Sequence, residues 1–368
     1  MKIERIVFTH VRIPLCEPFR ISSGSVSEKD AIIVELHSQG AVAYGESSPM
    51  SGTFYSNDTP DSVWTQLVEK IGPAMLKRDI TSPAEVNDLP GVTTCSGFAR
   101  AGVETAVWDL KANLSGRSIT TELGGSRDEI ESGLAVGIYA STKILLEKIR
   151  EYLAEGYKRV KIKIQKGWDV EPLSAIRESF GDDVSLMVDA NCAYGRQDID
   201  YLKRLDEFGL MMIEQPLGGD DLVGHARLQE SIETPVCLDE SAESPSSVRE
   251  AINLGSCRIV NIKLQRVGGF TNAKLIYELC KSAGLGIWVG TMPELGIGGI
   301  HALMFSSLPG CNYPTDVESS ARWFADDIVV PRLTVRNGIF SLSDYESYKV
   351  DWNVVERYKV RESSLSGN

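Results

Sequence analysis

Charged residues end a series of short apolar runs at a nearly constant interval in the middle of the chain. The five residues are Lys163, Asp189, Glu214, Asp239 and Lys263. The intervals between successive members are 26, 25, 25 and 24 residues. A short strand, a helix of about three turns and two loops together need about 25 residues. The spacing therefore predicts a strand–helix repeat of the kind that builds a (β/α) barrel.

The segments between these runs read as helices. The predicted helices cover residues 171–180, 199–208, 246–254 and 272–283. In a (β/α) barrel the carboxyl ends of the strands form the catalytic face, and the loops that follow them converge. We therefore expect the charged side chains to meet in one mouth.

Lys161 and Lys163 lie two residues apart in an apolar, β-branched run. On a strand, side chains at this spacing point to the same face. Burying two ammonium groups together is costly unless anions balance them. The run alone would also fit an edge strand with two solvated lysines. The acids that end the next three runs supply the missing anions and favour the buried arrangement.

Asp189, Glu214 and Asp239 are the predicted metal ligands. Three carboxylates that converge without a cation would repel one another and take up protons. An all-oxygen set suits a hard divalent ion, Mg²⁺ with Mn²⁺ as a possible substitute, and the His or Cys residues of a zinc site are absent from these positions. Each acid could instead cap the following helix, but that explanation is poor for three acids at near-constant spacing beside lysines.

Several passages, taken together, match the pattern of a known family. They are Pro18–Arg20, Tyr55–Ser56, Lys161–Ile164, Gly167–Asp169, Val188–Asn191, Ile213–Pro216, Leu238–Ser241, Asn261–Lys263, Arg266–Gly269 and Ser319–Arg322. The pattern resembles the enolase superfamily, muconate-lactonizing subgroup. Within it, the chain is most similar to the o-succinylbenzoate synthase / N-succinylamino acid racemase family, over nearly its whole length.

The resemblance implies a fold and a reaction. The fold is α/β: a modified (β/α)7β TIM-type barrel with an α+β capping domain formed by the N-terminal part and the C-terminal tail. The reaction is Mg²⁺-dependent abstraction of the proton α to a substrate carboxylate, through an enediolate. It would give o-succinylbenzoate by dehydration, racemise N-succinylamino acids, or do both.

Three lysines are the expected catalytic residues. Lys163 would be the base on one face of the substrate. Lys263 would return a proton to the opposite face, or stabilise the enediolate while a β-hydroxyl leaves. A lysine accepts a proton near neutral pH only if its pKa is lowered, and the neighbouring cation Lys161 and the metal act in that direction.

The candidate substrate contacts are Asn191, Glu240, Glu294, Phe19 and Tyr55. By resemblance, Phe19 and Tyr55 lie in two loops, 19–26 and 49–57, that cover the mouth, although both could instead pack the seam between domains. Asn191 and Glu240 could instead support other site residues from behind. Glu294 precedes a predicted helix N-terminus, where a carboxylate or a bound anion is favoured.

The domain organisation follows from where the repeat begins and ends. Residues 1–127 lack it and predict strands over 2–14, 31–37 and 41–46, then helices over 62–76 and 97–114. The first barrel strand is predicted over 130–138 and the last over 286–289. We therefore expect a capping domain at 1–127, completed by about 321–368, and a barrel domain at 128–320.

Composition limits the partners and the compartment. A net charge of −13 argues against nucleic acid and anionic membranes as partners, while the metal and lysines still leave a local site for a small-molecule carboxylate. Seven scattered cysteines without a CxxC pair favour a reducing compartment. With no signal-peptide core and no run long enough to span a membrane, we expect a cytoplasmic protein. The resemblance implies a homo-oligomer.

Three other functions stay open from the sequence. Thr291–Met292 looks somewhat like the muconate cycloisomerases of the same superfamily. A dipeptide epimerase is less well supported, because no Asp-x-Asp pair occurs late in the barrel to bind a substrate ammonium. The alternative from another class is a metal-free Schiff-base aldolase that uses Lys163 or Lys263.

Overall fold

An antiparallel sheet opens the chain in the computed structural model, which describes residues 1–21, 24–53 and 56–367. Strands β1 (Arg5–Ile21), β2 (Gly24–Ser38) and β3 (Ala41–Ser47) lie side by side, with β2 in the middle of the three. The final strand of the chain, Lys359–Ser366, pairs with the free edge of β1. The three predicted strands are confirmed, and β1 and β2 extend well beyond their predicted bounds.

Helices follow the first three strands of this sheet, and the first three of these helices pack on it. They are α1 (Pro60–Gln66), α2 (Gly72–Leu76), α3 (Gly97–Ser115) and α4 (Ile119–Leu123). The predicted helix 62–76 is interrupted by a π-helical turn at Leu67–Ile71, and a 3-10 turn follows at Pro83–Asp88. Helix α3 begins where the Ser96 side chain accepts from the Ala99 amide and ends at Gly116, whose φ of 66° suits glycine.

Seven parallel strands form the second sheet, and they neighbour one another in chain order. After the short strand β4 (Glu129–Glu131), they are β5 (Leu134–Val136), β6 (Val160–Lys163), β7 (Leu186–Asp189), β8 (Ile213–Glu214), β9 (Val236–Leu238), β10 (Ile259–Ile262) and β11 (Gly286–Val289). The helices between them are α5 (Thr142–Ala154), α6 (Val170–Phe180), α7 (Ile199–Leu202), α8 (Leu222–Ser231), α9 (Pro245–Leu254), α10 (Leu264–Val267) and α11 (Phe270–Ala283). The predicted helices are confirmed, except that 3-10 turns at Arg196–Asp198 and Lys203–Phe208 flank α7.

The prediction of a single first barrel strand over 130–138 is wrong. Strand β4 leaves the barrel sheet and pairs antiparallel with a strand near the C-terminus, Ile339–Ser341. Gly133 separates β4 from β5 and lies against the buried Arg159 guanidinium, which a side chain at this position would strike. The two short strands therefore belong to different sheets, since β5 pairs with β6 of the parallel sheet.

An extended segment after the last helix of the repeat bridges the two edges of the parallel sheet. The Asp316 amide donates to the Val289 carbonyl at 3.3 Å on the β11 side. On the other side, the Gly133 amide donates to the Thr315 carbonyl at 2.8 Å. The sheet is thus curled into a barrel whose eighth position is this short segment.

The remaining elements surround these two sheets. They are α12 (Gly296–Ser306), α13 (Ser320–Trp323), β12 (Val329–Val330), β13 (Ile339–Ser341), a 3-10 turn at Leu342–Tyr345, β14 (Lys349–Val350), α14 (Trp352–Tyr358) and β15 (Lys359–Ser366). Because β15 completes the N-terminal sheet, we keep the proposal of a capping domain at 1–127 with 321–368, and of a barrel domain at 128–320. In the described part of the chain, no helix has both the length and the apolar character needed to cross a membrane.

Glu104 joins α3 to the N-terminus of α11. Its buried carboxylate accepts from the amides of Phe270 and Thr271 at 2.7 and 2.9 Å, from the Thr271 hydroxyl, and from the Trp108 indole at 2.9 Å. A carboxylate at this end of a helix satisfies free amides and interacts well with the helix dipole.

Replacing Glu104 with alanine is expected to lower the free energy of unfolding by about 3 kcal/mol, because the helix amides and the indole lose their acceptor. Denaturant titration of Glu104→Ala and Glu104→Gln measures the effect. The glutamine variant keeps an acceptor oxygen and should lose about 1 kcal/mol. Equal stability of all three proteins would contradict this account of the contact.

Candidate active site

The ends of the barrel strands bring the predicted residues together. Lys163, Asp189 and Glu214 are the last residues of β6, β7 and β8, and they stand in register with one another across the sheet. Asp239 follows β9 directly, and Lys263 follows β10. Each strand continues into a loop at the same face of the barrel, which is why the regular spacing of the sequence becomes a convergence in space.

Each predicted acid is paired with a lysine. Lys163 Nζ donates to Asp189 Oδ2 at 2.5 Å, and Lys263 Nζ donates to Asp239 Oδ2 at 2.9 Å. Lys161 Nζ lies 3.3 Å from Glu214 Oε2. All three carboxylates are fully buried. Their charges are therefore balanced inside the barrel rather than by water.

Asp316 is a site residue that the sequence did not reveal. It lies on the segment that bridges β11 and β5, and its carboxylate accepts from Lys161 Nζ and, at 2.6 Å, from Arg159 Nη2. Arg159 and Lys161 also lie over the ring of Trp288, at 5.1 and 4.8 Å from its centroid. Lys161 is thus held in place by the Asp316 carboxylate, the Trp288 ring and Glu214.

The acids differ in how well their charge is stabilised. Burial raises the pKa of Glu214 well above its usual range, and the nearby charge of Asp189 adds to the effect. Burial also acts to raise the pKa of Asp239, but Arg266 and Lys263 outweigh it and hold that pKa well below its usual range. Among the acids, Glu214 is the one that most needs a further cation.

Two of the buried lysines, Lys161 and Lys263, keep their protons. Burial acts to lower the pKa of Lys263, but the charge of Asp239 outweighs it and raises that pKa. In the same way, Asp316 and Glu214 outweigh burial and raise the pKa of Lys161. With the carboxylates paired in this way, Lys161 and Lys263 are cations.

A cavity of about 50 Å³ lies above these pairs. Lys163 and Lys263 both line it, and they come from strands that are separated by three others, β7 to β9. Phe19, Met50 and Trp323 line its other walls. The two lysines therefore approach one small space from different sides.

Phe19 is one of the two predicted loop contacts. Its ring lines the cavity and packs edge-on against Trp323, with the ring centroids 4.8 Å apart. It comes from β1 of the N-terminal sheet, so this sheet contributes to the cavity wall. Tyr55, the other predicted loop contact, lies outside the described residues.

Asn191 connects three members of the site. Its side-chain Oδ1 accepts from Lys163 Nζ at 2.8 Å, and its Nδ2 donates to Glu240 Oε1 at 3.0 Å. Its backbone amide donates to Asp189 Oδ1 at 3.0 Å. Asn191 also lines the cavity, whereas Glu240 does not. Burial raises the pKa of Glu240 to about 7, and the charge of Asp239 adds to the shift.

Further polar residues hold the acids in place. The Asn261 Nδ2 donates to Glu214 Oε1 at 2.6 Å, the Gln215 Oε1 accepts from the Asp239 amide at 2.9 Å, and Arg266 donates to Asp239. Glu294 accepts from the Met292 amide at 3.0 Å and lines a neighbouring cavity of about 20 Å³. Gln215, Asn261 and Arg266 lie in the motifs that carry the family resemblance, which was the only signal for them.

The donor set fits a hard divalent cation by its chemistry: three buried carboxylates on neighbouring strands, one of them with a raised pKa. Their present partners are lysines. Within residues 1–21, 24–53 and 56–367, no three His, Cys, Asp or Glu side chains stand close enough together to hold a metal ion as placed. Binding a cation would therefore require the lysines to give up part of their contact with these oxygens.

Comparison with known proteins gives the family. Residues 145–346 match the family model "Enolase C-terminal domain-like", and residues 3–124 match "Mandelate racemase / muconate lactonizing enzyme, N-terminal domain". The chain is 41% identical to an o-succinylbenzoate synthase of Geobacillus kaustophilus, over 97% of this chain and 96% of that protein. It is 40% identical to an N-succinylamino acid racemase of an Amycolatopsis species, over 90% of each.

Solved structures agree with the sequence comparison. A member of the enolase superfamily from Listeria innocua superposes with a TM-score of 0.94, at 34% identity and with 100% of both chains covered. A muconate lactonizing enzyme from Pseudomonas fluorescens superposes with a TM-score of 0.90, at 22% identity, over 97% of this chain and 99% of that one, which shows a shared fold. The chain belongs to the enolase superfamily, in the group that carries the mandelate racemase / muconate lactonizing enzyme N-terminal domain.

Proposed function

We propose that this enzyme abstracts the proton α to the carboxylate of a small-molecule substrate, and that it is an o-succinylbenzoate synthase, an N-succinylamino acid racemase, or both. The observation that carries the proposal is the pair Lys163 and Lys263, which line one small cavity from separate strands. The names of relatives about 40% identical over nearly the full length support the two activities.

Asp189, Glu214 and Asp239 are the proposed ligands of Mg²⁺, with Mn²⁺ as a possible substitute. Members of this superfamily generally use Mg²⁺. Carboxylate oxygens are the ligands that both ions prefer. When bound, the cation would act as a Lewis acid that offsets negative charge on the carboxylate oxygens of the substrate.

Lys163 is the proposed base. Its Nζ lies at the cavity wall and is oriented by Asp189 and Asn191, so that its position does not depend on the substrate. Lys161 lies two residues earlier on the same face of β6 and is held as a cation.

Lys263 is the proposed partner on the opposite face. Asp239 holds it at 2.9 Å as an ammonium group, the form that can donate a proton. Donation to the α-carbon from this face would complete racemisation. If the substrate instead carries a β-hydroxyl, the same ammonium group would stabilise the enediolate. Lys163, which has taken up the α-proton, would then return that proton to the departing hydroxyl, which leaves as water.

Four other residues are proposed to contact the substrate or to orient a residue that does. Phe19 would pack against the substrate from the N-terminal sheet, and Asn191 would hydrogen-bond to it or to a ligand. Glu240 would orient Asn191 through its bond to Nδ2. Glu294 would contact the substrate from the neighbouring cavity.

The alternatives are less well supported by the contacts. Asp316 and Glu318 line the cavity late in the barrel, but Lys161 and Arg322 already pair with them, so they offer little charge to a substrate ammonium as a dipeptide epimerase would need. A Schiff-base aldolase that acts through Lys263 would need this lysine to be neutral, whereas the charge of Asp239 outweighs burial and raises its pKa. For muconate cycloisomerisation, the structural likeness at 22% identity extends to the fold alone.

Chiral chromatography of N-succinyl-L-amino acids incubated with the enzyme tests the proposal. We expect formation of the D-enantiomer with Mg²⁺, loss of the reaction after EDTA treatment, and recovery when Mg²⁺ or Mn²⁺ is added back. Conversion of a β-hydroxy acid precursor to o-succinylbenzoate is followed in parallel. Absence of both reactions in the presence of metal would rule the proposal out.

A further inference from the structure

Lys29 is a buried lysine of β2 that contacts one residue of the cavity wall, Met292, and a second residue, Ser48, close to another. Only 4% of the residue is exposed. Its Nζ donates to the Ser48 carbonyl at 3.1 Å and to the Met292 carbonyl at 3.2 Å. Ser48 precedes Met50 by two residues, and Met50 and Met292 both line the cavity beside the catalytic lysines. One ammonium group thus connects the cap wall to the barrel wall.

The cap side of this connection is firmly held. The Ser48 amide donates to Gln265 Oε1 at 2.9 Å, and Gln265 Nε2 donates to the Glu46 carbonyl at 2.7 Å. Gln265 lies two residues after Lys263. The strand end that leads to Met50 is therefore fixed to the loop that carries one of the proposed catalytic residues.

The barrel side is held as well. Glu46 accepts from the amides of Leu295 and Gly298 at 2.8 Å each, at the start of α12. Glu294 accepts from the Met292 amide, so Met292 is bonded at its amide by Glu294 and at its carbonyl by Lys29. Burial lowers the pKa of Lys29, and the nearby carboxylates of Glu46 and Glu294 act against this shift.

We propose that Lys29 is a positioning residue that sets the spacing between the Met50 and Met292 walls, and that it thereby determines which side chains the substrate pocket accepts. The substrate part of this inference rests on the proposed function; the part about the pocket walls does not. Because the cavity is small, a modest separation of its walls changes the volume available to a substrate side chain. Displacements of about 1 Å in a site can change rates by about 10²-fold.

The first measurement is methyl NMR of the protein labelled at its methionines. The chain has eight methionines, and Met50 and Met292 are assigned through Met→Leu variants. In Lys29→Met, we expect the methyl signals of Met50 and Met292 to shift and broaden while those of Met75 and Met304, which are buried elsewhere, stay in place. Unchanged Met50 and Met292 signals in the folded variant would overturn the inference.

The second measurement compares kcat/KM for N-succinyl-L-alanine and N-succinyl-L-phenylalanine. We expect the ratio of the two values to change by about tenfold or more in Lys29→Met, mainly through KM. The matched control is Glu104→Gln, which alters another buried contact between the N-terminal part and the barrel without touching the cavity wall; its ratio should stay as in the unmodified enzyme. Equal ratios in both variants would overturn the specificity role.

A variant that keeps the charge covers the case in which Lys29→Met does not fold. Lys29→Arg keeps a buried cation beside Glu46 and Glu294 but presents a longer, planar group to the two carbonyls. It should move the same two methyl signals and shift the same ratio. If the unmodified enzyme turns over neither substrate, the racemase activity fails for these side chains, and the proposed function fails only if conversion to o-succinylbenzoate is absent as well. The methyl signals alone still decide the role of Lys29 at the pocket walls.

Discussion

Replacing Lys163 with alanine is expected to lower kcat/KM by about 10²–10⁴-fold for both racemisation and dehydration, because both begin with removal of the α-proton. Lys263→Ala should lower kcat/KM for racemisation by a similar factor. Its effect on dehydration should be smaller when the role of Lys263 there is only electrostatic. Steady-state kinetics with both substrate classes measure these effects.

The matched control for these variants is Lys166→Ala. Lys166 lies three residues after Lys163, but it is exposed and pairs with Asp198 at 2.7 Å. Its removal should leave kcat/KM within about twofold, as expected for a surface ion pair. If Lys163→Ala behaves like Lys166→Ala, Lys163 is not the base, and the assignment of the whole site is wrong.

Replacing Glu214 with glutamine is expected to remove the stabilisation that Mg²⁺ gives to the folded enzyme. A ligand that binds only the folded state adds about 2.7 kcal/mol at a concentration of 100 times its Kd. Of the three proposed ligands, Glu214 is the one whose pKa burial and the charge of Asp189 raise, so a cation there offsets an unfavourable buried charge. Glu214→Gln should show little or no rise in Tm at an Mg²⁺ concentration that stabilises the unmodified enzyme, and kcat/KM should fall by about 10²-fold or more.

Glu318→Gln is the control for this measurement. Glu318 is also a buried glutamate beside the cavity, and burial raises its pKa to about 7 against the opposing charge of Arg322. It is not among the proposed ligands, so Mg²⁺ should still raise the Tm of this variant. An unchanged response to Mg²⁺ in Glu214→Gln would show that the ion binds elsewhere.

The sequence predicted the central arrangement because the repeat has a simple physical basis. Each strand–helix unit uses a similar number of residues, so the residues that end the strands converge at one face. The same logic could not find Asp316, since its segment follows a different connection and contains no long apolar run. For the same reason the ion pair between Lys161 and Asp316 could not be predicted.

Contacts between segments far apart in the sequence were the other features that the sequence could not predict. Strand β4 pairs with β13 about 200 residues away, so the local pattern at 130–138 could not show where one strand ended. The contacts of Lys29 have the same character, because they join carbonyl groups of two separate segments. The homo-oligomer, the cytoplasmic location and the exclusion of nucleic acid stay predictions, since they rest on the resemblance and on composition alone.

Proton NMR in D₂O tests the central claim, that two lysines act on opposite faces of one α-carbon. The unmodified enzyme with Mg²⁺ should exchange the α-proton of N-succinyl-L- and N-succinyl-D-amino acids. Lys163→Ala should stop exchange from one enantiomer and Lys263→Ala from the other, each leaving the second intact. Loss of exchange from both enantiomers in each variant, or from neither, would contradict the assignment of one lysine to each face.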